Sequence, residues 1–365
     1  MGNTYRPRLP RHLEKFDYLI KKLTEEDFKN LNLLQDEKDL LQEYRAIKDN
    51  SEEVGLNDDD VKHGWIKTEK ASLFFKNPNF KTKEKKLFEE DLLNLISERS
   101  PNYPIIKREE TLEPHALIIN PADVHLGKLA SAFETGDSYT VDIAVKRVKE
   151  GVNGILNKSK GFNIEKIIFV GGNDILHVDT PKRTTTSGTP QDTDGMWYDN
   201  FRTAMNLYIE VLETLIPIAD VHFIYCPSNH DYTNGFFLCQ AVEQYFSKNK
   251  NITFDTSIAH RKYYKYGNNL IGFTHGDGAK PQDLPLLMAH ESEYWVECKH
   301  KYIYSHHLHH KISKDYMSVC VESMRSPSGT DSWHHRQGYE HTPKAVEGFL
   351  HHKEYGQIGR FNHLF

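Results

Sequence analysis

Five short apolar segments of the sequence are each followed at once by carboxylate, imidazole or amide side chains. "ALIIN" precedes Asp123 and His125, and "KIIFV" precedes Asp174. "VHFIYC" leads into "PSNHD", "LIGFT" leads into a histidine, and "YIYS" leads into "HHLHH". Oxygen and imidazole donors without a thiolate suit Mn, Fe, Zn and similar divalent ions rather than a structural thiolate zinc site. The residue types therefore predict a divalent metal centre.

The spacing of these residues fits metal binding as well as their type does. Asp123 and His125 are two residues apart, and so are His307 and His309. If the chain stays extended beyond the strand, residues i and i+2 point the same way and can contact one ion. A single histidine pair at this spacing more often lies on the protein surface without binding a metal. The chain has 21 histidines, so the presence of any one of them can reflect composition alone. Five strand ends together are a stronger indication than one pair.

The elements that would position these residues alternate along the chain from about residue 115 onward. Apolar strands such as "KIIFV" and "VHFIYC" alternate with amphipathic helices such as "WYDNFRTAMNLYIEVLETLI", and "RKYYKYGNNLIGFTHG" is typical of a hairpin. This alternation predicts an α/β core, with hairpins completing a second sheet. Ligands of such sheets lie beyond the carboxyl ends of the strands, so the five polar segments would meet in one crevice.

The composition excludes several classes of protein. The chain has 365 residues, 38% of them apolar, and a net charge of −6, which argues against disorder and against a uniformly basic nucleic-acid coat. Its four cysteines form no C-x-x-C pair, so we expect reduced thiols in a cytoplasmic protein. No apolar run approaches the ~18 residues of a membrane span, and no membrane partner is expected.

Residues 1 to about 110 have a different composition, which predicts a separate, mainly helical N-terminal domain. Within it, "GWIKTEKASLFFKNPNFKTKEKK" mixes lysines with aromatic residues, as nucleic-acid surfaces do. A solvated lysine-rich face, partner binding and a homo-oligomer formed through the helices are the alternatives. "SPNYPIIKREETLEPH" is punctuated by prolines and predicts a linker to a catalytic domain at residues 111–365.

The order of the polar segments resembles that of the calcineurin-like metallophosphoesterase superfamily, which includes repair exonucleases of the SbcD and Mre11 type. In that family Asp-x-His is followed by Gly-Asp, Gly-Asn-His-Asp, a lone His and Gly-His-x-His, and the resemblance covers about residues 115–365. It implies a four-layer α/β/β/α sandwich, here with a mainly helical N-terminal extension.

The resemblance also implies a role for each polar residue at the strand ends. Seven residues would hold two metal ions: Asp123, His125 and His309 at the first ion, Asn229, His275 and His307 at the second, and Asp174 bridging both. His230 would donate a proton to the leaving group, and Asp231 would orient His230.

Three residues depart from the family pattern. Asn173 stands where the family has the glycine before the bridging aspartate, and Ser228 where it has the glycine that opens Asn-His-Asp. His306 replaces the glycine before His-x-His. All ligand positions are kept, so these departures bear on the backbone at the strand ends. A different register of "SHHLHH" would use His306 or His310, but the register given above is preferred because "HLHHK" then follows the strand as it does in the family.

The chemistry implied is hydrolysis of a phosphoester. Two divalent ions clamp a phosphoryl group and lower the pKa of a bridging water, whose hydroxide then attacks phosphorus. Mn²⁺ is the favoured metal, with Fe, Zn, Ni or Mg as alternatives. The leading hypothesis is a phosphodiesterase acting on nucleic acid, that is, a nuclease. The alternatives are a phosphodiesterase or phosphatase for small nucleotides or phosphoproteins and, in another class, a non-catalytic adaptor with the same fold.

Two polar segments are candidates for choosing the substrate. The first is the insert "HVDTPKRTTTSGTPQDTDGMWYDN" at residues 177–200, whose substrate-binding candidates are Lys182, Arg183, Thr185, Gln191 and Trp197. A solvated connection is the alternative for this insert, and His177 and Asp179 within it suit a structural role as well as a catalytic one. In the second segment, residues 323–345, contact of Arg325, His334, His335 and Arg336 with an anionic substrate is one interpretation, but a surface loop is the preferred prediction.

Overall fold

A computed structural model of the chain describes residues 63–67, 72–76, 100–339 and 342–365. The chain divides into two compact units, Met1–Asp91 and Leu92–Phe365. In the first unit the described residues form an antiparallel hairpin of β1 (His63–Lys67) and β2 (Ser72–Lys76). The helices predicted near the N-terminus lie outside the described residues.

In the second unit the described residues form two β-sheets and six helices. Its strands are β3 (His115–Asn120), β4 (Ile164–Gly172), β5 (Asp220–Cys226), β6 (Ile252–Asp255), β7 (Arg261–Tyr266), β8 (Asn269–Thr274), β9 (His300–Ser305), β10 (Ile312–Tyr316), β11 (Val319–Ser323), β12 (Ala345–His352) and β13 (Gly356–Leu364). Its helices are α1 (Ala132–Thr135), α2 (Val141–Lys158), α3 (Trp197–Leu215), α4 (Tyr232–Tyr245), α5 (Leu284–Glu291) and α6 (Ser332–Gln337). None of the helices in the described part of the chain is long and apolar enough to cross a membrane.

The two sheets contain six and five strands. The first has the order β13-β12-β3-β4-β5-β6, and the four strands from β3 to β6 are parallel. The second has the order β10-β11-β9-β8-β7, with β8, β9 and β11 parallel. The parallel strands place the carboxyl ends of β3, β4 and β5 at one edge of the first sheet and those of β8 and β9 at one edge of the second.

Alternate residues of the central strands face two different cores. Leu117 and Ile119 of β3 pack with helices α2, α3 and α4 on the outer face of the first sheet. Ile118, between them, packs with Ile271 of β8 and other side chains enclosed between the two sheets. Leu284 of α5 belongs to a third core, which covers the outer face of the second sheet. These layers confirm the predicted α/β/β/α sandwich.

Residues 100–114, predicted as a linker, contain no helix or strand and lie against the first sheet and helix α4. The Ser100 hydroxyl donates to the backbone carbonyl of Gln244, and the Tyr103 ring stacks on Phe246 with centroids 5.6 Å apart. The Arg108 guanidinium forms a 2.8 Å ion pair with Asp220 at the start of β5. These contacts therefore hold the segment against the first sheet.

Candidate metal centre

The structure brings all seven predicted ligand side chains together at the carboxyl ends of the parallel strands. The first group consists of Asp123, His125 and His309, whose ligand atoms all lie within 4.8 Å of one another. Nε2 of His125 is 3.3 Å from Nε2 of His309, and the latter is 3.6 Å from Oδ1 of Asp123. Two imidazole nitrogens and a carboxylate oxygen thus converge on one point.

The second group consists of Asp174, His275 and His307, again with ligand atoms within 4.8 Å of one another. Nε2 of His275 lies 3.0 Å from Oδ1 of Asn229 and 3.3 Å from Oδ2 of Asp174. The same Oδ2 is 3.9 Å from Nε2 of His125 in the first group. Asp174 therefore stands between the two groups, where a bridging carboxylate was predicted.

The backbone at these residues differs from the extended chain predicted for Asp-x-His. Five of the ligand residues have φ angles of 48–69°, in the left-handed region: Asp123, His125, Asp174, His307 and His309. For non-glycine residues this conformation is strained, and it persists where surrounding structure fixes it, often at functional sites. Here backbone hydrogen bonds fix it, from Asp123 N to Asn173 O and from His125 N to Asp174 O. The two side chains converge through tight turns, so the predicted extended geometry is wrong.

The three departures from the family pattern each have a structural explanation. Asn173 has a φ of 53°, and asparagine tolerates the left-handed region better than most side chains do. The Ser228 hydroxyl accepts a hydrogen bond from Asp174 N and donates one to Oδ1 of Asp231, so it braces the strand end. The buried His306 ring donates to the Thr274 carbonyl and faces the amide of Asn120 at 3.0 Å.

The alternative register of "SHHLHH" is also placed by these contacts. Because both ring nitrogens of His306 face other groups, His306 ties β9 to β8 and β3 instead of joining the two groups of ligand atoms. His310 is exposed, and its Nδ1 donates to the Leu308 carbonyl. His307 and His309 are the histidines of this segment that lie in the two groups.

The electrostatics of the site fit a divalent cation. Burial alone would raise the pKa of Asp174, but His275 and His230 hold that pKa well below its ordinary value. Burial alone would lower the pKa of His275, but Asp174 and Asp123 raise it to about 9. Nδ1 of His275 is buried without a hydrogen-bond partner. The same two carboxylates would attract a divalent cation, which imidazole binds only in its neutral form.

His230 lies beside the metal groups, but its orientation comes from an unexpected residue. Its ring stacks on His177 and sits 4.5 Å from the His125 ring, and its Nδ1 donates to the His177 carbonyl at 3.0 Å. The fully buried Asp231 carboxylate accepts from Leu176 N and from Ser228 Oγ instead. The prediction that Asp231 orients His230 is therefore wrong, because α4 starts at Tyr232 and its preceding carboxylate is turned inward to the strand end.

The insert at residues 177–200 is bound to the site through its backbone and through Asp179. The Asp179 carboxylate accepts hydrogen bonds from Thr233 N, Asn234 N and the Thr186 hydroxyl, and Thr186 N donates to the Asn229 carbonyl. Asp179 thus has the structural role that was one of its two predicted alternatives. The insert forms one side of the site and is fixed to the first turn of α4.

The five predicted substrate residues lie on this insert in different surroundings. Lys182 and Arg183 are exposed, Gln191 and Trp197 are half-buried, and Thr185 is buried. The Thr185 hydroxyl accepts a hydrogen bond from Thr189 N, so this side chain shapes a turn. Contact of these residues with a substrate stays a prediction.

A second wall of the site comes from the polar segment that follows β11. Residues 323–331, predicted as part of a surface loop, are largely buried, and Ser326 donates to the Asp123 carbonyl. The buried Lys128 forms a 2.8 Å ion pair with Asp331, which also accepts from Nδ1 of His334 at 2.7 Å. The His334 ring stacks on His309 with centroids 5.0 Å apart. Two of these contacts, Ser326 with Asp123 and Lys128 with Asp331, join residues about 200 positions apart, and the sequence carries no local signal for them.

Comparison with known proteins gives matches among solved structures. No family model and no curated protein matches the sequence. An archaeal phosphodiesterase is 11% identical, with 69% of this chain and 99% of that chain covered and a TM-score of 0.34. Vps29 from Entamoeba histolytica in complex with zinc is 12% identical, with 68% and 98% covered and a TM-score of 0.29. A predicted phosphoesterase from Streptococcus pneumoniae is 12% identical, with 69% and 98% covered and a TM-score of 0.26. Likeness at this level carries no argument about function, which rests on the site itself.

Proposed function

We propose that the chain is a two-metal phosphodiesterase of the calcineurin-like metallophosphoesterase superfamily and that it acts on nucleic acid. The observation that carries the proposal is the pair of Asp/His groups, with Asp174 between them and Asn229 beside the second. Neutral imidazoles and ionised carboxylates are the donors that Mn²⁺, Fe, Zn and similar ions accept. When bound, two such ions polarise a phosphoryl group and lower the pKa of water.

The residues around the ligands would prepare the site for in-line displacement at phosphorus. The backbone amides of His307 and His230 donate to Asp123 and Asp174, and these bonds hold the carboxylates in place. The His177 carbonyl accepts from Nδ1 of His230 and thereby leaves Nε2 for proton transfer to the leaving alkoxide.

Nucleic acid is the substrate we favour over small phosphorylated molecules. Lys182 and Arg183 are exposed on the insert beside the site, and cationic side chains there would contact backbone phosphates on either side of the scissile one. The half-buried Trp197 begins α3 at the end of the same insert and would stack on a base.

Hydrolysis of bis-p-nitrophenyl phosphate by the full chain tests this proposal. Metal content and turnover are measured with Mn²⁺ and, separately, with Zn²⁺, Fe²⁺, Ni²⁺ and Mg²⁺. We expect Asp174→Asn to lower both the bound metal and the turnover, because its Oδ2 faces both groups. We expect His230→Gln to keep the metal and to lose about 10²- to 10⁴-fold in kcat, the usual contribution of a general acid. His310→Gln is the matched control, since this exposed neighbour of His309 belongs to neither group.

The outcomes separate the proposed function from the alternatives. Cleavage of labelled single- or double-stranded DNA by the wild type, but not by Asp174→Asn, would support the nuclease. Turnover of nucleotide esters without cleavage of DNA would favour the small-nucleotide enzyme. Two bound metals without turnover of any phosphoester would favour the adaptor, and a chain that binds no divalent metal would overturn the proposal.

A further inference from the structure

A row of aromatic rings leads from the metal centre to the protein surface. The His309 ring stacks on His334 at 5.0 Å, and His334 contacts Trp333 edge to face, also at 5.0 Å between centroids. Trp333 in turn contacts Tyr339 at 6.0 Å with the ring planes tilted by 52°. Trp333 is 58% exposed and Tyr339 is 60% exposed. Two large aromatic side chains are therefore open to solvent near a predicted metal ligand, Trp333 at two ring contacts from His309 and Tyr339 at three.

These rings are supported by hydrogen bonds to Asp331 and by its ion pair with a buried lysine. Asp331 caps α6 by accepting from His334 N at 2.8 Å and also accepts from Nδ1 of the His334 ring. The amine of Lys128, which is 1% exposed, pairs with the other oxygen of Asp331. A buried lysine whose charge is matched in this way fixes the carboxylate, and the carboxylate fixes both the helix start and the His334 ring. Helix α6 is thus attached firmly to the metal centre.

The exposed rings have a geometry suited to stacking. Both ring contacts of Trp333 are edge-on or tilted, at 85° to His334 and 52° to Tyr339, so neither covers the indole face to face. Tryptophan and tyrosine left open to solvent beside a site commonly serve binding, because their rings supply a large apolar area at little cost in conformational entropy. Arg336, exposed on the same helix, adds a positive charge that suits an anionic ligand.

We infer that Trp333 and Tyr339 form a stacking platform for an unpaired nucleobase next to the phosphate that is hydrolysed. The inference rests on the proposed function and names the form of the substrate. A base is tethered to its phosphate by one sugar, and the platform is separated from His309 by the His334 ring alone. In a duplex the base faces are covered by neighbouring pairs, so the platform selects single-stranded or frayed nucleic acid, or a nucleotide ester.

Two phosphodiesters with the same leaving group, one carrying a nucleoside and the other a methyl group, test the platform. Thymidine 5′-(p-nitrophenyl phosphate) carries a base beside the scissile phosphate, and methyl p-nitrophenyl phosphate carries none. Stacking of one base is worth about 1–3 kcal/mol, so Trp333→Ala is expected to raise KM for the thymidine ester by roughly 5- to 150-fold. For the methyl ester kcat and KM are expected to stay within about twofold, and Trp333→Phe is expected to restore most of the affinity for the thymidine ester.

A matched control lies at the other end of the sheet. Tyr355 is 70% exposed and stacks on His352, which pairs with His115 at the start of β3, whereas the metal centre follows the end of β3. Tyr355→Ala therefore removes an exposed ring that stacks on a histidine far from the site. It is expected to leave kcat and KM for both esters unchanged. Circular dichroism of each variant shows whether it is folded.

The outcomes distinguish failure of the platform from failure of the proposed function. If the wild type hydrolyses both esters and Trp333→Ala affects them equally or not at all, the platform is wrong and the phosphodiesterase stands. If the wild type hydrolyses neither of these esters, nor bis-p-nitrophenyl phosphate or DNA, the enzyme proposal fails. Fluorescence anisotropy of a labelled short oligothymidylate mixed with the Mn²⁺-loaded chain then tests whether the platform binds a base. Weaker binding by Trp333→Ala would then support a base-binding surface. Unchanged binding would overturn it and leave the aromatic pair as a surface for a protein partner.

Discussion

Replacing Asp179 by alanine removes a helix cap supplied from outside the helix. Asp231, the residue before α4, makes no capping hydrogen bond through its side chain. The first amides of α4 instead donate to Asp179, with Thr233 N at 3.1 Å and Asn234 N at 2.7 Å. Asp179 is 8% exposed and also accepts from the Thr186 hydroxyl at 2.9 Å.

The expected loss of stability follows from these contacts. A capping side chain contributes about 0.5–2 kcal/mol, and a carboxylate near the positive end of a helix adds about 0.3–1 kcal/mol. Removing a buried charged acceptor also leaves its donors unsatisfied, at about 1–3 kcal/mol. Because these contributions overlap, we expect Asp179→Ala to lower the free energy of unfolding of this unit by about 2–4 kcal/mol. Asp179→Asn keeps an acceptor oxygen without the charge and should lose about half as much.

Hydrogen exchange of the peptide containing residues 232–245 measures the effect locally. Asp179→Ala should reduce protection of the Thr233 and Asn234 amides, and kcat should fall because the same insert supplies the His177 carbonyl to His230. Asp192→Asn, an exposed change in the same insert, is the control. Unchanged protection in Asp179→Ala, or a loss of stability below about 0.5 kcal/mol, would show that α4 does not depend on this cap.

Three further predictions concern the sandwich rather than the site. Arg360→Met leaves the buried Glu322 and Glu347 without the guanidinium that joins them, and urea denaturation should show a loss of about 3–5 kcal/mol. Burial lowers the pKa of His351 to about 3, so its neutral form stabilises the fold fully above the unfolded pKa near 6.5, and this stabilisation is lost as pH falls toward 3. His351→Gln should accordingly reduce the slope of unfolding free energy between about pH 6 and pH 4 by about 1.4 kcal/mol per pH unit, and an unchanged slope would contradict the burial argument. Gly348→Ala should lower the free energy of unfolding by about 1–3 kcal/mol in the same denaturation experiment, because the added methyl group would lie 2.6 Å from the Ile155 side chain and 2.9 Å from the Ile118 carbonyl oxygen. An unchanged stability would mean that α2, which carries Ile155, shifts freely.

The sequence by itself determined the order of the elements and the set of residues at the strand ends. Apolar runs such as "KIIFV" and "VHFIYC" are short and end abruptly at glycine or proline, so β4 and β5 could be placed from local pattern alone. Because parallel strands bring their carboxyl ends to one edge, the meeting of Asp174 with Asn229 also followed from that pattern.

Tertiary structure alone decided how these residues are held. The left-handed backbone at Asp123 depends on its hydrogen bond to Asn173, just after the neighbouring strand β4, and local propensity does not predict such strain. The orientation of His230 comes from a carbonyl in the insert, and the stack of His334 on His309 depends on a buried ion pair between Lys128 and a distant aspartate. Residue type and spacing indicate which chemical groups each segment contributes to the site. Contacts between segments far apart in the chain fix the orientation of each group, and these contacts exist only once the tertiary structure has formed.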